Sequence, residues 1–250
     1  MSHNTFSQTL KWAIKDGISL VHQVLGRPHN RTRGQIQRLE AAMTDSEIEH
    51  QRISLIVRAT NTPESTVRTF ADRAPRQMMV SEHFQGHTMG LRDSTTLHTL
   101  ICACDVERCV ETGVAAGASS AIILQELERR QRGRLVSIDI QSVLANHYGE
   151  LIPESHRGRW ELRIQREKPL LPMVLEELAS IDFFLHDSRH VLRHMMWEYE
   201  LAWRYLRPGG CLASHDVIMT TAFDDFYRKY RFEIADGGII GAVGFWIKKK

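Results

Sequence analysis

The residues best suited to chemistry occur within ten positions, where the chain reads Glu-Thr-Gly-Val-Ala-Ala-Gly-Ala-Ser-Ser from 111 to 120. They follow a short apolar run and precede a helical one. In a strand–turn–helix unit of this kind, glycines let the backbone approach a ligand while free helix N–H groups face it. The acid can accept a hydrogen bond from an amine, and the serines can donate to a carboxylate. The pattern suits a ligand with a ribose, a cation and a carboxylate, bound by Glu111, Gly113, Gly117, Ser119 and Ser120.

The glycine spacing argues against two common nucleotide sites. The dinucleotide fingerprint is Gly-x-Gly-x-x-Gly, whereas Gly113 and Gly117 lie four positions apart and Ala115 stands where a middle glycine is expected. No Lys-Ser/Thr pair follows Gly117, which excludes a Walker phosphate loop. An NAD-linked oxidoreductase is therefore disfavoured. An ordinary strand-to-helix turn is the alternative to a binding site.

An acid also ends the next predicted strand, at 135–139. A carboxylate at that point can accept both hydroxyl groups of a ribose. Because the NAD fingerprint places an acid similarly, Asp139 alone does not distinguish the cofactors. Asp139 directly follows an apolar strand, so we expect it to bind the ribose rather than to be a solvated turn acid.

Two further strand ends combine carboxylates with histidines. Asp187 ends the fourth predicted strand and His190 follows three residues later, while His215 and Asp216 end the fifth. If these strands are neighbours, Asp187 and Asp216 suit a hard divalent cation, which would activate a hydroxyl group, and His190 could take its proton. His215 could complete the metal site or hydrogen-bond outside it. Helix capping or a turn is an equally good interpretation of the two acids.

The elements that would position these residues begin near residue 95. Alternating helical and strand-like runs predict an α/β fold with a doubly wound, mostly parallel sheet, whose ligands lie beyond the carboxyl ends of the strands. A closing hairpin with its turn at Asp236-Gly-Gly would add an antiparallel edge strand. The predicted strands end at 111, 139, 164, 186 and 214, and the hairpin strands are 232–235 and 243–247.

The first 94 residues differ from the rest because they lack strand-like runs. Helical patterns at 6–25 and 36–60, and a short helix from Glu64, predict an N-terminal helical extension. The domain prediction is therefore 1–94 for a cap or oligomerisation region and 95–250 for the ligand-binding domain. The amphipathic 6–25 helix could bury the surface of a second copy.

Composition sets the broader limits. The chain is 42% hydrophobic and 25% charged, with a net charge of +2, so composition gives no argument for nucleic acid or an anionic membrane. No apolar run reaches the ~18 residues of a membrane span. Cys102, Cys104, Cys109 and Cys211 form no Cys-x-x-Cys pair. We interpret them as reduced thiols in a cytoplasmic protein without a signal sequence.

With these motifs in hand, the chain resembles the class I S-adenosylmethionine-dependent methyltransferases. It is most similar to a bacterial branch that includes catechol-, macrolide-sugar- and cephalosporin-type O-methyltransferases, whose fold is a seven-stranded Rossmann-like sheet. The resemblance covers roughly residues 95–247. It rests on the 111–120 run, Ser-Ile-Asp at 137–139, Asp-Phe-Phe-Leu-His-Asp-Ser-Arg-His at 182–190, Leu-Arg-Pro-Gly-Gly at 206–210 and Ser-His-Asp at 214–216.

The resemblance implies a role for each site residue. Glu111, Gly113, Gly117 and Ser119 would surround the methionine part of the donor, with Ser120 beside them, and Asp139 would hold the ribose. Asp187, which also borders the cofactor, and Asp216 would bind Mg²⁺ with the residue beside Asp216, and His190 would be the base. His215 departs from the acidic pair common in this branch, and Thr220 stands where an Asn is frequent. Imidazole in place of an oxygen ligand would weaken a hard-cation site.

The expected activity is methyl transfer to a hydroxyl group of a small molecule, sugar, glycan or natural product. One alternative keeps the fold but needs no metal, with an oxygen or nitrogen acceptor. The other is a non-catalytic protein that retains the fold, because fold alone does not establish function.

Overall fold

The computed structural model describes residues 44–84 and 89–250. Its strands are β1 (Arg108–Thr112), β2 (Arg134–Asp139), β3 (Trp160–Ile164), β4 (Ile181–His186), β5 (Leu206–Ser214), β6 (Ile234–Ile240) and β7 (Val243–Lys248). Its α-helices are α1 (Asp45–Thr60), α2 (Glu64–Asp72), α3 (Leu91–Cys104), α4 (Ala118–Arg129), α5 (Glu167–Leu178), α6 (Leu192–Tyr205) and α7 (Ala222–Tyr230). The predicted 6–25 helix and the start of the 36–60 helix lie outside the described residues.

The seven strands found within residues 44–84 and 89–250 form one sheet in the order β3-β2-β1-β4-β5-β7-β6. β1 to β5 pair in parallel, and β7 is antiparallel to β5 and β6. The predicted doubly wound, mostly parallel α/β sheet is therefore confirmed. β1 and β4 are neighbours although α4, β2, β3 and α5 lie between them in sequence, and this brings the residues after Thr112 beside those after His186.

Successive side chains of each strand point to opposite sides of the sheet, and helices cover both sides, so the strands are buried on both faces. Cys109 and Phe183 contribute to one apolar cluster, whereas the next residues, Val110 and Phe184, contribute to another. Helices α1 to α4 cover the first face, and α5 to α7 cover the second. The buried strands leave their polar end residues at one edge of this three-layer core.

The closing hairpin differs from its prediction. Asp236-Gly-Gly lies inside β6, which continues to Ile240, and the chain reverses at 241–242. Gly237 has φ 152°, and a Cβ there would lie 2.1 Å from the Phe245 carbonyl oxygen, while Asp236 accepts a 2.6 Å hydrogen bond from Arg58 of α1. In this strand the glycine allows close packing between strands, and the aspartate forms an ion pair, so neither makes a turn. The antiparallel strand β7 is internal, and β6 forms the edge.

The described part of the N-terminal region packs against the sheet. Thr44 and Glu47 form a capping box that starts α1, because Glu47 N–H donates to the Thr44 hydroxyl and Thr44 N–H donates to the Glu47 carboxylate. Ile53 and Ile56 of α1 belong to the same apolar cluster as the strands. The predicted boundary at 94/95 falls within α3, and the two-part division stays a prediction. Among the described residues, no helix has the length and apolar character needed to cross a membrane.

Candidate functional site

A cavity of about 890 Å³ opens where β1, β2 and β4 end, which is the edge predicted for the ligand. Four predicted site residues line it: Gly113, Ser119, Asp139 and Asp187. Arg166, Lys168 and Arg189 add positive charge to its wall. The topology thus gathers residues that lie up to 74 positions apart in sequence (113 to 187) around one space.

Gly113 and Gly117 shape the loop between β1 and α4. Both have φ +85°, which is costly for residues with a Cβ. A Cβ on Gly113 would lie 2.2 Å from the Asp187 carbonyl oxygen, and one on Gly117 would lie 2.7 Å from the Gly149 Cα. Gly113 therefore allows the β1 loop to touch the β4 loop, and this contact closes one end of the cavity.

The Asp139 carboxylate holds the same loop in place. Its Oδ2 accepts from the backbone N–H groups of Val114 at 2.7 Å and Ala115 at 3.2 Å, and its Oδ1 accepts from Ile140 N–H at 2.7 Å. A carboxylate has about four acceptor positions, so three donors leave roughly one free, on Oδ1. Asp139 thus both organises the glycine loop and lines the cavity.

Glu111 lies beneath the loop, fully buried, and is not part of the cavity wall. Its carboxylate accepts hydrogen bonds from the hydroxyl groups of Ser119, Ser120 and Ser137, the last at 2.8 Å. Burial raises the pKa of Glu111 to about 7, although the three serines act in the opposite direction. Of the predicted cofactor residues Glu111, Gly117, Ser119 and Ser120, Ser119 is the one that lines the cavity. Gly117, Ser120 and Glu111 support it from behind, and their direct contact with the donor stays a prediction.

Asp187 pairs with His215, because the ends of β4 and β5 are neighbours. The His215 Nδ1 lies 3.1 Å from Asp187 Oδ1, and its Nε2 lies 3.6 Å from Asp93 Oδ2 on α3. Burial lowers the pKa of His215, but the two carboxylates outweigh this and raise it to about 11. His215 is therefore a protonated bridge between α3 and the β4 loop. Sequence reasoning missed Asp93, because it lies in a helix and far along the chain from any predicted strand end.

His190 is half-buried beside the same carboxylate, with its Nε2 3.8 Å from Asp187 Oδ1. Burial and the nearby His186 lower the pKa of His190, although Asp187 and Asp216 oppose the shift. A lowered pKa keeps the imidazole neutral near pH 7, the form that accepts a proton. Asp216 follows β5 in the left-handed region, with φ 51°.

The predicted cation site does not fit the observed donor set. A ligating histidine needs a nitrogen lone pair, whereas both ring nitrogens of His215 face carboxylates. Within the part of the chain that is described, the groups whose ligand atoms come within 4.8 Å of one another lie elsewhere, at His83–His147–Glu150 and His98–Cys102–Glu126. Metal binding by Asp187, His215 and Asp216 therefore stays a prediction, and no chemical step is derived through a cation.

A buried polar network behind Asp187 escapes prediction from the sequence. Glu198 of α6 is fully buried and accepts from His186 Nδ1, from the Thr112 hydroxyl at 2.7 Å and from the Ser188 hydroxyl at 3.1 Å. The His194 Nε2 lies 3.0 Å from Glu198, and His194 lines the cavity. His194 and Glu198 are four residues apart on one helix. That spacing places both side chains on one face of the helix, and it was the signal available in the sequence.

The strand order and the cavity at the carboxyl ends define a class I methyltransferase architecture. Residues 110–217 match the family model described as a methyltransferase domain. Residues 110–217 are therefore a methyltransferase domain, in agreement with the predicted S-adenosylmethionine-dependent class. The matched segment runs from β1 through the residue after Asp216, so it includes every predicted site residue.

The fold is shared with a solved structure of low sequence identity. The O-methyltransferase TomG from Streptomyces achromogenes, which is involved in tomaymycin synthesis and was solved with SAM, is 18% identical with a TM-score of 0.50, over 88% of this chain and 97% of TomG. An O-methyltransferase from Bacillus cereus, solved with SAH, is 16% identical with a TM-score of 0.48, over 86% of this chain and 96% of that one. A search of curated protein sequences found no match.

Proposed function

We propose that this protein transfers the methyl group of S-adenosylmethionine to a hydroxyl oxygen of a small molecule, sugar, glycan or natural product. The observation that carries the proposal is the cavity at the strand ends, where Gly113, Ser119 and Asp139 lie on one side and the Asp187 loop on the other. TomG, which shares the fold, is named an O-methyltransferase and was solved with SAM. The residues of the donor pocket support the assignment of S-adenosylmethionine as the cofactor. The class of acceptor is taken from the family resemblance.

The reaction is an in-line displacement at the methyl carbon. The new C–O bond forms as the C–S bond breaks, and the bonding electron pair stays on sulfur, which loses its positive charge. The hydroxyl proton passes to the neutral imidazole of His190. Because the sulfonium is already reactive, the protein contributes mainly by aligning the two reactants and by accepting the proton.

Each donor-side residue has a distinct task in this proposal. The first turn of α4, at Ala118 and Ser119, brings backbone N–H groups to the methionine carboxylate. The Ser119 hydroxyl donates its proton to Glu111, so its oxygen can accept from the methionine ammonium group. The free acceptor position of Asp139 receives a ribose hydroxyl. Glu111 supports Ser119 from below and so acts on the donor through another residue.

A form of the reaction without a metal cofactor is favoured by the pairing of His215 with Asp187 and Asp93. Asp187 then serves through its charge, which stabilises the His190 imidazolium formed when the proton is transferred. If this is correct, methyl transfer continues after dialysis against EDTA. A loss of activity that added Mg²⁺ restores would support the predicted metal-assisted form instead.

Donor binding tests the cofactor assignment without knowledge of the acceptor. Isothermal titration with S-adenosylhomocysteine is expected to give micromolar affinity, and Asp139→Ala should abolish it, since the variant loses both the ribose contact and the loop anchor. The control is Asp225→Ala, which removes an acid of α7 that pairs with Arg228. If Asp139→Ala bound S-adenosylhomocysteine as tightly as the wild type, Asp139 would not be the residue that binds the ribose.

His190 is tested by activity, with S-adenosylhomocysteine release measured over a panel of sugars, phenols and polyketides. His190→Asn is expected to lower kcat by roughly 10²–10⁴-fold, the usual contribution of a general base. Donor affinity should stay within a factor of two or three. A variant with wild-type kcat would show that another group accepts the proton.

A further inference from the structure

Two histidines and a glutamate form a separate cluster at the side of the cavity, on residues that the proposed reaction does not use. His83 Nδ1 lies 2.6 Å from Glu150 Oε2, and His147 Nδ1 lies 4.0 Å from the same oxygen. The two imidazole rings are stacked, with centroids 3.5 Å apart and an interplanar angle of 20°. One ligand atom from each residue lies within 4.8 Å of the other two.

The cluster is organised in advance by its neighbours. Ser81 is 5% exposed, and its hydroxyl donates to Glu150 Oε1 while it accepts from the backbone N–H groups of His83 at 3.2 Å and Phe84 at 2.8 Å. Ser81 therefore fixes both the Glu150 carboxylate and the turn that carries His83.

The third residue belongs to a rigid turn as well. His147 ends the 3₁₀ turn Ala145–His147, and Glu150 N–H donates to the His147 carbonyl oxygen at 3.1 Å. Residues three apart on such a turn present their side chains on the same side. The imidazoles of His83 and His147 are each 40% exposed, so an ion can reach the cluster from solvent.

We propose that His83, His147 and Glu150 bind Zn²⁺, with water as the fourth ligand. Two imidazole nitrogens and one carboxylate oxygen form a common zinc donor set, and imidazole disfavours the hard ions Mg²⁺ and Ca²⁺. The hydrogen bond from Ser81 to Glu150 is the kind of outer contact that orients a ligating carboxylate. The other cluster, His98–Cys102–Glu126, is a poorer candidate because Arg129 and Arg130 already pair with Glu126.

A bound zinc ion would join two separate segments of the chain. His83 precedes α3, whereas His147 and Glu150 lie between β2 and β3. Next to His83, Phe84 packs with Val114, Ala116, Ala145 and Tyr148, and Val114 lines the cavity. Zinc would therefore fasten segment 81–84 over the loop that forms the cavity wall, and the amide hydrogens of this segment should exchange more slowly when zinc is present.

Titration of the full chain with ZnCl₂ after removal of metals tests the proposal. The chain has 13 histidines, so the number of ions bound does not locate the site, and the comparison between variants does. We expect a single site that binds zinc with micromolar or tighter affinity. This affinity should fall at least tenfold in His147→Asn, in His83→Asn and in Glu150→Gln. His50→Asn, which removes an exposed histidine on α1, should bind like the wild type.

Glu150→Gln keeps the shape of the side chain and the hydrogen bond from Ser81, so this variant should fold like the wild type. Circular dichroism would detect any difference in fold. A Co²⁺ complex should show the intense visible absorption of four-coordinate cobalt, and this band should be lost in Glu150→Gln. Zinc affinity that is equal in the wild type and all three cluster variants would overturn the proposal, and so would a site that Mg²⁺ fills equally well.

Discussion

At the residue scale, Gly113 has little freedom to change. Its φ of +85° and the 2.2 Å approach to the Asp187 carbonyl oxygen both exclude a side chain. We expect Gly113→Ala to cost roughly 1–3 kcal/mol of stability from the backbone conformation alone, with a further loss from the displaced Asp187 loop. Urea unfolding and S-adenosylhomocysteine binding measure the two effects.

The control for Gly113 is Gly158→Ala, because a Cβ on Gly158 would meet no atom within 4 Å. That variant should unfold and bind as the wild type does. If Gly113→Ala matched it in both measurements, the close contact between the β1 and β4 loops would not exist in solution.

His215 makes the clearest residue-scale difference from the predicted metal site. In His215→Glu the imidazole is replaced by the oxygen ligand that hard cations prefer, and the new carboxylate lies beside Asp187 and Asp216. We expect Mn²⁺ to bind roughly tenfold or more tightly to this variant than to the wild type, as measured by electron paramagnetic resonance of free Mn²⁺.

His215→Asn separates the gain of an oxygen charge from the mere loss of imidazole, and it should not gain this affinity. Wild-type protein that already binds Mn²⁺ as tightly as His215→Glu would contradict the interpretation of His215 as a bridge between two carboxylates. In that case the predicted ligand set would be supported.

Single residues also show how much of the site can be predicted from the sequence. Asp139 and Asp187 were predictable because each directly follows an apolar strand, and parallel strands end at one edge. Asp93 and Glu198 were not, because their roles arise when a helix packs beside the site. Glu111 is intermediate: its importance was evident, but its burial under three serines depends on how α4 crosses β1 and β2.

At the element scale, Glu111 ties β1 to α4 and β2, and its ionisation should affect how firmly these elements pack. Its folded pKa is raised to about 7, above the value of about 4.3 in an unfolded chain. A raised folded pKa stabilises the protein fully below the unfolded value, and this stabilisation is lost as pH rises through about 7. Each unit of difference is worth about 1.4 kcal/mol, so the effect is on the order of 3 kcal/mol.

The test is urea unfolding at pH 5 and pH 8 of wild type and Glu111→Gln. The amide can still accept from the serines but does not ionise, so the variant should lose less stability between the two pH values. Glu107→Gln, which changes an exposed acid just before β1, should follow the wild type. Equal losses in wild type and Glu111→Gln would show that the carboxyl group does not titrate in this range.

The hairpin shows why an element can be predicted correctly in kind but not in position. Gly237 and Gly238 resemble a turn because glycine is common in turns. The small size of Gly237 is needed instead where β6 packs closely on Phe245 and Trp246 of β7. This requirement comes from a strand that is inserted between β5 and β6, and local sequence does not encode the insertion.

At the scale of the whole molecule, the described N-terminal helices and the sheet share one core. Ile56 of α1 is fully buried in a cluster that also contains Leu185 of β4 and Phe245 of β7. The buried Trp203 and Trp246 lie in the cluster on the opposite face. If both clusters unfold together, a destabilising substitution in α1 must also lower the stability of the cluster on the opposite face of the sheet. The sequence had instead suggested a separate region for residues 1–94.

Ile56→Ala tests this coupling. Removing the buried side chain should lower the free energy of unfolding by about 2–5 kcal/mol, because it leaves a cavity in addition to the lost burial. The test is made in a background where Trp12 and Trp160 are replaced by Phe, so that the remaining tryptophans all lie in the cluster on the far face. Circular dichroism and fluorescence should then report the same lowered urea midpoint, since both faces unfold in the same transition. Val80→Ala, which shortens a 76% exposed side chain, should change neither probe. A lowered midpoint by circular dichroism with unchanged fluorescence would instead establish that the helices before residue 95 unfold as an independent domain.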